Sequence, residues 1–399
     1  MEALLRSHHN RMQTVSLDFI RPIMHEINWD DRLIMIRGQR GVGKTTLMLQ
    51  HIMMSHNSGN QSDVLYVSLD NIYFSSHGLL AFVEQFHKMG GKYLFLDEVH
   101  KYETWSREIK NAYDEFPDMH FVLSGSSLVN LMDGDVDLSR RGIFYTMQGL
   151  SFREYLAMFH NFHFNIANLD DVLFHSNDIC AEVNSKLRPL TLFPTYLQQG
   201  YFPFLKEGEP SYYTRIENIV NMTIERELPQ SRHLDIGNIR KMKSLLAALS
   251  SNVPFEVDAT KLSKMAEIAR TTLLQYLQFL NDARLINLLY SDITSIKRMQ
   301  KPDKIYLENT NLMHTLSTVV DIGAEREAFF VNQLSYKYQV EYSKSSADFT
   351  IDGKYTIEVG GRSKGAKQLK DVPLGFIAAD NEEFTLGNKI PLWLFGFLY

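Results

Sequence analysis

Gly38-Gln39-Arg40-Gly41-Val42-Gly43-Lys44-Thr45 has the spacing G-x-x-x-x-G-K-T of a phosphate-binding loop. Glycines let backbone N–H groups turn inward around phosphate, the lysine reaches the β and γ oxygens, and the threonine hydroxyl can hold Mg²⁺. The flanks agree with this reading. Arg32-Leu33-Ile34-Met35-Ile36-Arg37 predicts a short buried strand, and Thr46-Leu47-Met48-Leu49-Gln50-His51-Ile52 predicts a helix whose N-terminus faces the anion. A strand before and a helix after separate such a loop from a chance glycine-rich turn. The expected nucleotide-holding residues are Gly38, Gln39, Arg40, Gly41, Val42, Gly43, Lys44, Thr45 and Thr46.

A second signature lies downstream. Tyr93-Leu94-Phe95-Leu96-Asp97-Glu98 is an apolar strand ending in two acids. Beside a phosphate-binding loop, the first acid supports Mg²⁺ and the second polarises the attacking water. Asp97, with Thr45, is the expected metal ligand and Glu98 the expected base; a solvated acidic strand end is the bland alternative. His100 reads either as a γ-phosphate sensor or as a loop histidine without a role. Further strands are predicted at Val64–Asp70, His120–Ser127 and Phe144–Met147, with helices over Gly78–His87 and Trp105–Asp114. Strands alternating with helices imply a parallel sheet covered on both faces, with ligand chemistry at the strand C-termini.

Composition narrows the class. The 399 residues suit more than one domain, and 44% hydrophobic with 22% charged residues is ordinary for a soluble protein. The single cysteine, Cys180, excludes a disulfide framework and reads as a small buried apolar residue in a reducing compartment. No long apolar run suggests a membrane span and the N-terminus lacks a signal-peptide core, so a cytoplasmic location is expected.

The succession GQRGVGKTT, LFLDEVHK, VLSGSS, LSRRGIFY and GLSFREYL resembles bacterial and archaeal AAA+-type ATPases that carry a C-terminal extension. The specific motifs are confined to Gly38 through Leu156. The resemblance implies ATP as ligand, Mg²⁺ as cofactor, Lys44 and Glu98 as catalytic groups, and Ser126 and Ser127 at the sensor position. It also implies that Arg140 and Arg141 form an arginine-finger segment, acting in the same or a neighbouring subunit. A solvated charged loop is the equal alternative for that pair. Ser151 and Glu154 are spaced as a capping box.

Four regions follow: an ATPase core over residues 1–156, a helical lid over 157–234, a winged helix-turn-helix over 235–318 and a terminal α/β domain over 319–399. The stretch from Ala157 to Arg232 is aromatic-rich and irregular, with its clearest turn at Gly200–Phe204; His160, His163 and His175 lack metal spacing. Helices are expected at Ile239–Ser250, from Thr260, and over Arg270–Ala283. A strand over Arg284–Tyr290, a basic loop over Ile293–Asp303 and a return strand over Lys304–Leu307 complete the winged helix. Residues 237–304 hold 11 Lys+Arg against 6 Asp+Glu, a local +5 against −11 for the rest of a chain of net charge −6. That asymmetry favours a phosphate backbone. Arg270, Thr271 and Thr272 would face a DNA groove and Lys297, Arg298 and Lys301 the wing; protein contact or domain packing is the alternative.

In the terminal domain a helix from Gly323 precedes the hairpin Ala347–Ile351 and Lys354–Val359. Its acids resemble the PD-(D/E)xK nuclease core, which implies that Glu327, Asp348 and Glu358 hold a metal. A three-residue loop Ile351-Asp352-Gly353 would pair Thr350 with Lys354 and put Asp348 and Glu358 on one face; a two-residue Asp352-Gly353 turn would oppose them. The lysine expected two residues after Glu358 is replaced by Gly360, with Lys364 or Lys367 as substitutes, and this departure favours a retained fold without cleavage. Three functions remain open: a DNA-associated ATPase, an ATP-gated signalling or chaperone-like switch acting on protein partners, and an ATP-controlled nuclease; a homo-oligomer is a further expected partner.

Overall fold

Each strand expected around the phosphate loop forms, and the reason lies in the hydrophobic runs. A computed structural model of the chain describes residues 1–55, 63–125, 138, 140–232, 234–251, 255–256, 259–291, 301–343, 347–365, 369 and 372–399. The chain divides into two units, Met1–Gln148 and Gly149–Tyr399.

In the first unit, β1 (Leu33–Arg37), β2 (Val64–Ser68), β3 (Tyr93–Asp97), β4 (His120–Gly125) and β5 (Ile143–Thr146) make one parallel sheet in the order β2-β3-β4-β1-β5. Strands buried on both faces need continuous apolar runs rather than alternation, and Leu33–Ile36, Val64–Val67 and Leu94–Leu96 supply them. Helix α1 (Glu2–Gln13) covers the outer edge of β2, where His8 Nδ1 accepts the Tyr66 backbone N–H at 3.1 Å. That contact occupies a donor that an edge strand otherwise leaves exposed. Helices α2 (Ile23–Glu26), α3 (Lys44–Ser55), α4 (Leu79–Lys88) and α5 (Trp105–Glu115) complete the unit. Phe82, Val83 and Phe86 of α4 join Trp105, Ile109 and Ala112 of α5 in one core with β2, β3 and β4.

The second unit opens on α6 (Phe152–His160), whose Ser151–Glu154 capping box is formed in both directions. The aromatic-rich stretch expected as a helical lid is largely helical: α7 (Leu169–Phe174), α8 (Ser176–Lys186), α9 (Pro189–Gln199), α10 (Tyr212–Met222) and α11 (Leu228–Arg232). Its aromatic residues take part in the helical period: Tyr212, Ile216 and Val220 share the buried face of α10 at intervals of four. Next come α12 (Ile236–Ser250), β6 (Phe255–Glu256), α13 (Ala259–Met265), α14 (Arg270–Asp282), β7 (Ile286–Leu289) and β8 (Lys304–Leu307), the strands pairing antiparallel in the order β6-β8-β7. Arg284, expected in a strand, instead ends α14 in the left-handed region at φ 58°. Its N–H reaches Asn281 O and the Leu285 N–H reaches Leu280 O, both at 2.9 Å, a Schellman closure built on arginine where glycine is usual.

Helices α15 (Thr310–Leu316) and α16 (Ile322–Leu334) lead to a mixed sheet of β9 (Val340–Tyr342), β10 (Phe349–Ile351), β11 (Tyr355–Gly360), β12 (Gly375–Ala379) and β13 (Lys389–Pro391), ordered β13-β12-β11-β10-β9. The β10–β11 register pairs Thr350 with Thr356, not with Lys354. Asp352 and Gly353 are both left-handed, at φ 51° and 63°, and Asp352 Oδ1 accepts the Gln339 N–H at 2.7 Å, so the turn sits one residue further on. The resulting shift of two preserves parity, and Asp348 and Glu358 lie on the same face.

Candidate functional site

The phosphate loop lies at the C-terminal end of β1 and delivers Lys44 and Thr45 into the first turn of α3. Gly41 and Gly43 adopt φ of 86° and 103°, which side chains resist. Gly38 is required for space, because a Cβ there would stand 2.1 Å from the Met147 carbonyl oxygen. Lys44 is buried, and its Nζ donates to the carbonyls of Gly38 at 2.9 Å and Gln39 at 3.0 Å. Beneath the loop the buried Arg21 donates to Val42 O at 3.3 Å and Gln148 O at 2.7 Å. Val42 and Gln39 are buried, while Thr46 is exposed one position beyond the turn.

Asp97 is the hub. Its Oδ2 accepts from Thr45 Oγ1 at 2.6 Å and from the Tyr66 hydroxyl at 2.7 Å. Its Oδ1 accepts from Ser124 Oγ and from the Glu98 N–H. Burial, then the charge of Asp97, hold the Tyr66 phenol far above its usual range, so it remains a donor. Carboxylate and hydroxyl oxygens this close are hard ligands of the kind Mg²⁺ prefers, and they fit that ion. Glu98 follows in the left-handed region at φ 55°, and its Oε2 lies 3.4 Å from His100 Nε2. Ser124, Tyr66 and Arg21 escaped the sequence reading. Leu96 pairs with Leu123, so register puts Ser124 level with Asp97; nothing local marks Tyr66 or Arg21.

Other candidates fall elsewhere. Ser126 and Ser127 lie outside the described residues. Arg140 is exposed, and Arg141 grips Asp114 through two nitrogens at 3.0 and 3.1 Å. Both precede β5, which runs parallel to β1, so they stand at the opposite end of the sheet from the loop. A four-residue strand spans roughly 13 Å, and a finger role on the same chain's nucleotide is therefore corrected.

In the second unit Arg270 and Thr271 are exposed and Thr272 half-buried at the start of α14; Lys301 is exposed, whereas Lys297 and Arg298 lie outside the described residues. The three acids of the terminal domain each have a partner. Glu327 Oε2 takes Lys304 Nζ at 2.9 Å and the Tyr306 hydroxyl, Asp348 Oδ2 takes the Val359 N–H at 2.8 Å, and Glu358 Oε1 takes Lys364 Nζ at 2.6 Å. Burial, together with Glu327 and Glu358, pushes Asp348 up to about 6. The stem of Lys364 crosses Gly360, where a Cβ would meet Lys364 Cγ and Cδ at 2.9 Å; Lys367 is outside the described residues. Among the described residues no group of three His, Cys, Asp or Glu is arranged to hold a metal. No described helix is long and apolar enough to cross a membrane.

Comparison with known proteins agrees with the first unit. Residues 30–156 match the model of a family described as an AAA domain, and residues 190–323 match a domain of unknown function, DUF8612. The chain is 27% identical over 366 residues to the uncharacterized protein MJ1637 of Methanocaldococcus jannaschii, covering 84% of this chain and 77% of that one. It is 25% identical over 185 residues to the uncharacterized protein Mb2031c of Mycobacterium bovis, 41% of each. AMPPCP-bound DnaA from Aquifex aeolicus aligns at 16% identity over 65% of this chain and 84% of that chain, with a TM-score of 0.29, too low to carry a fold assignment. The matched AAA segment and the five-stranded parallel sheet give the first unit a P-loop ATPase fold.

Proposed function

We propose that this chain binds and slowly hydrolyses ATP with Mg²⁺, and that nucleotide state controls a DNA-associated second unit. The observation that carries the ATPase reading is the convergence of Thr45, Tyr66, Ser124 and the Glu98 N–H on Asp97 beside the Lys44 loop. A magnesium ion bound by Thr45 and Asp97 would neutralise charge on the β and γ oxygens. Lys44 exchanges its loop carbonyls for phosphate oxygens, inward-turned N–H groups of the loop hold the phosphates, and Glu98 polarises water for attack. Arg140 and Arg141, at the far end of the sheet, serve as a finger only for a neighbouring copy.

Lys44→Ala should abolish nucleotide binding or leave it very weak. Glu98→Gln should keep binding and lose roughly 100-fold or more in turnover. Filter binding and phosphate release measure both, and wild-type turnover in Glu98→Gln would sink the assignment.

The DNA reading draws on the helix-strand-helix-helix-strand-strand order of α12 to β8, which matches a winged helix, and on the local excess of positive charge. For the terminal domain, a nuclease-like fold with little or no cleavage is supported by Gly360 at the place of the expected lysine and by Lys304 on Glu327, although the substitute Lys364 does reach Glu358.

A further inference from the structure

We infer that His100 is a positioning residue for Glu98, holding the water-polarising carboxylate in its place beside the phosphate loop; this rests on the ATPase reading above. Glu98 needs holding. It follows the end of β3 in a left-handed conformation that costs a non-glycine residue about 1 kcal/mol or more. It caps a single 3₁₀ turn, Val99–Lys101, closed by the Lys101 N–H on Glu98 O at 2.9 Å. A left-handed backbone at Glu98 and one tight turn bring the i and i+2 side chains together, and His100 Nε2 stands 3.4 Å from Glu98 Oε2. The two side chains differ in burial. That of His100 is 4% exposed and enclosed, whereas that of Glu98 is 21% exposed, with its Oε2 buried toward the histidine. A buried imidazole whose Nε2 faces one carboxylate oxygen at 3.4 Å, an ion-pair contact rather than a hydrogen bond, leaves the other oxygen to face water and disfavours rotamers in which the glutamate swings away. Asp97 has no need of such help, because four donors already fix it.

The role predicts a split between kcat and KM. Binding is the work of the loop, Lys44 and Thr45, so losing His100 leaves it alone. The full chain is assayed for steady-state ATP turnover in Mg²⁺ and for binding of a non-hydrolysable ATP analogue. His100→Ala should lower kcat about tenfold while KM and analogue affinity stay within about twofold. His100→Gln keeps an N–H donor of similar reach and should recover kcat to within about threefold of wild type. Adding His100→Ala to Glu98→Gln should cause no further loss, since the carboxylate being positioned is already gone. His100→Ala turning over like wild type overturns this inference alone, as does an equal fall of kcat and affinity that His100→Gln fails to rescue. A wild-type chain that binds nucleotide without turnover overturns the hydrolysis reading, and this inference with it.

Discussion

Glu308 shows how one residue can govern stability away from the nucleotide. It is fully enclosed, its Oε2 has no hydrogen-bond partner among the described residues, and Arg284 NH1 lies 3.7 Å from its Oε1. Burial outweighs Arg284 and pushes the carboxyl up to about 7. The folded state therefore binds this proton more tightly than the unfolded chain, whose glutamates titrate near 4.3. Stability from this group is present at low pH and lost as pH rises from about 4 to about 7. Glu308→Gln should be more stable than wild type at pH 8, by on the order of 3 kcal/mol, with the advantage gone near pH 4. Urea melts across that range decide it, and an equal offset at both ends would refute the titration account. Tyr66 makes the complementary point: its ring is core, yet its hydroxyl serves Asp97.

At the scale of elements, α14 and the strands after it carry the DNA proposal. Arg270 and Thr271 are exposed at the first turn of α14, while Leu273, Tyr276, Leu277 and Leu280 hold its other face in the core. A phosphate-reading element releases counterions on binding, so affinity for labelled duplex should fall steeply with salt. Charge reversal at Lys297 and Arg298, or at Arg270, should weaken all sequences about equally, and absence of binding at low salt with or without ATP would favour a protein partner. The β10–β11 hairpin carries a second expectation. Asp348 and Glu358 share a face and the substitute Lys364 reaches Glu358, but Gly360 replaces the expected lysine and Lys304 occupies Glu327. Plasmid and linear DNA should survive incubation in Mg²⁺ or Mn²⁺; cleavage that disappears in Asp348→Ala and Glu358→Ala would promote the nuclease reading.

At the scale of the whole molecule, Arg140 and Arg141 stand away from their own loop, so the proposed finger role would make catalysis depend on copies meeting. Arg140→Ala,Arg141→Ala and Lys44→Ala proteins, each inactive alone, should regain part of the wild-type ATP turnover when mixed. A pairing of an intact loop with an intact arginine pair forms only in the mixture; no recovery at any ratio would overturn the trans assignment. The sequence by itself determined the phosphate loop, the acidic pair, the strands of the first sheet and the capping box at Ser151, because each is written in contiguous residues whose spacing is the chemistry. The sequence leaves open whether Asp348 and Glu358 share a face, since a three-residue loop puts them together and a two-residue turn opposes them; the register decides for one face, with Asp352 hydrogen-bonded to Gln339, thirteen residues earlier. Tertiary structure alone decided that Tyr66 and Ser124 serve Asp97, that Arg21 braces the loop and that lysines meet the terminal acids. Apart from the short Glu358–Lys364 link, these contacts join residues far apart in the chain, and no local pattern encodes which distant side chain will fill the space beside a buried charge.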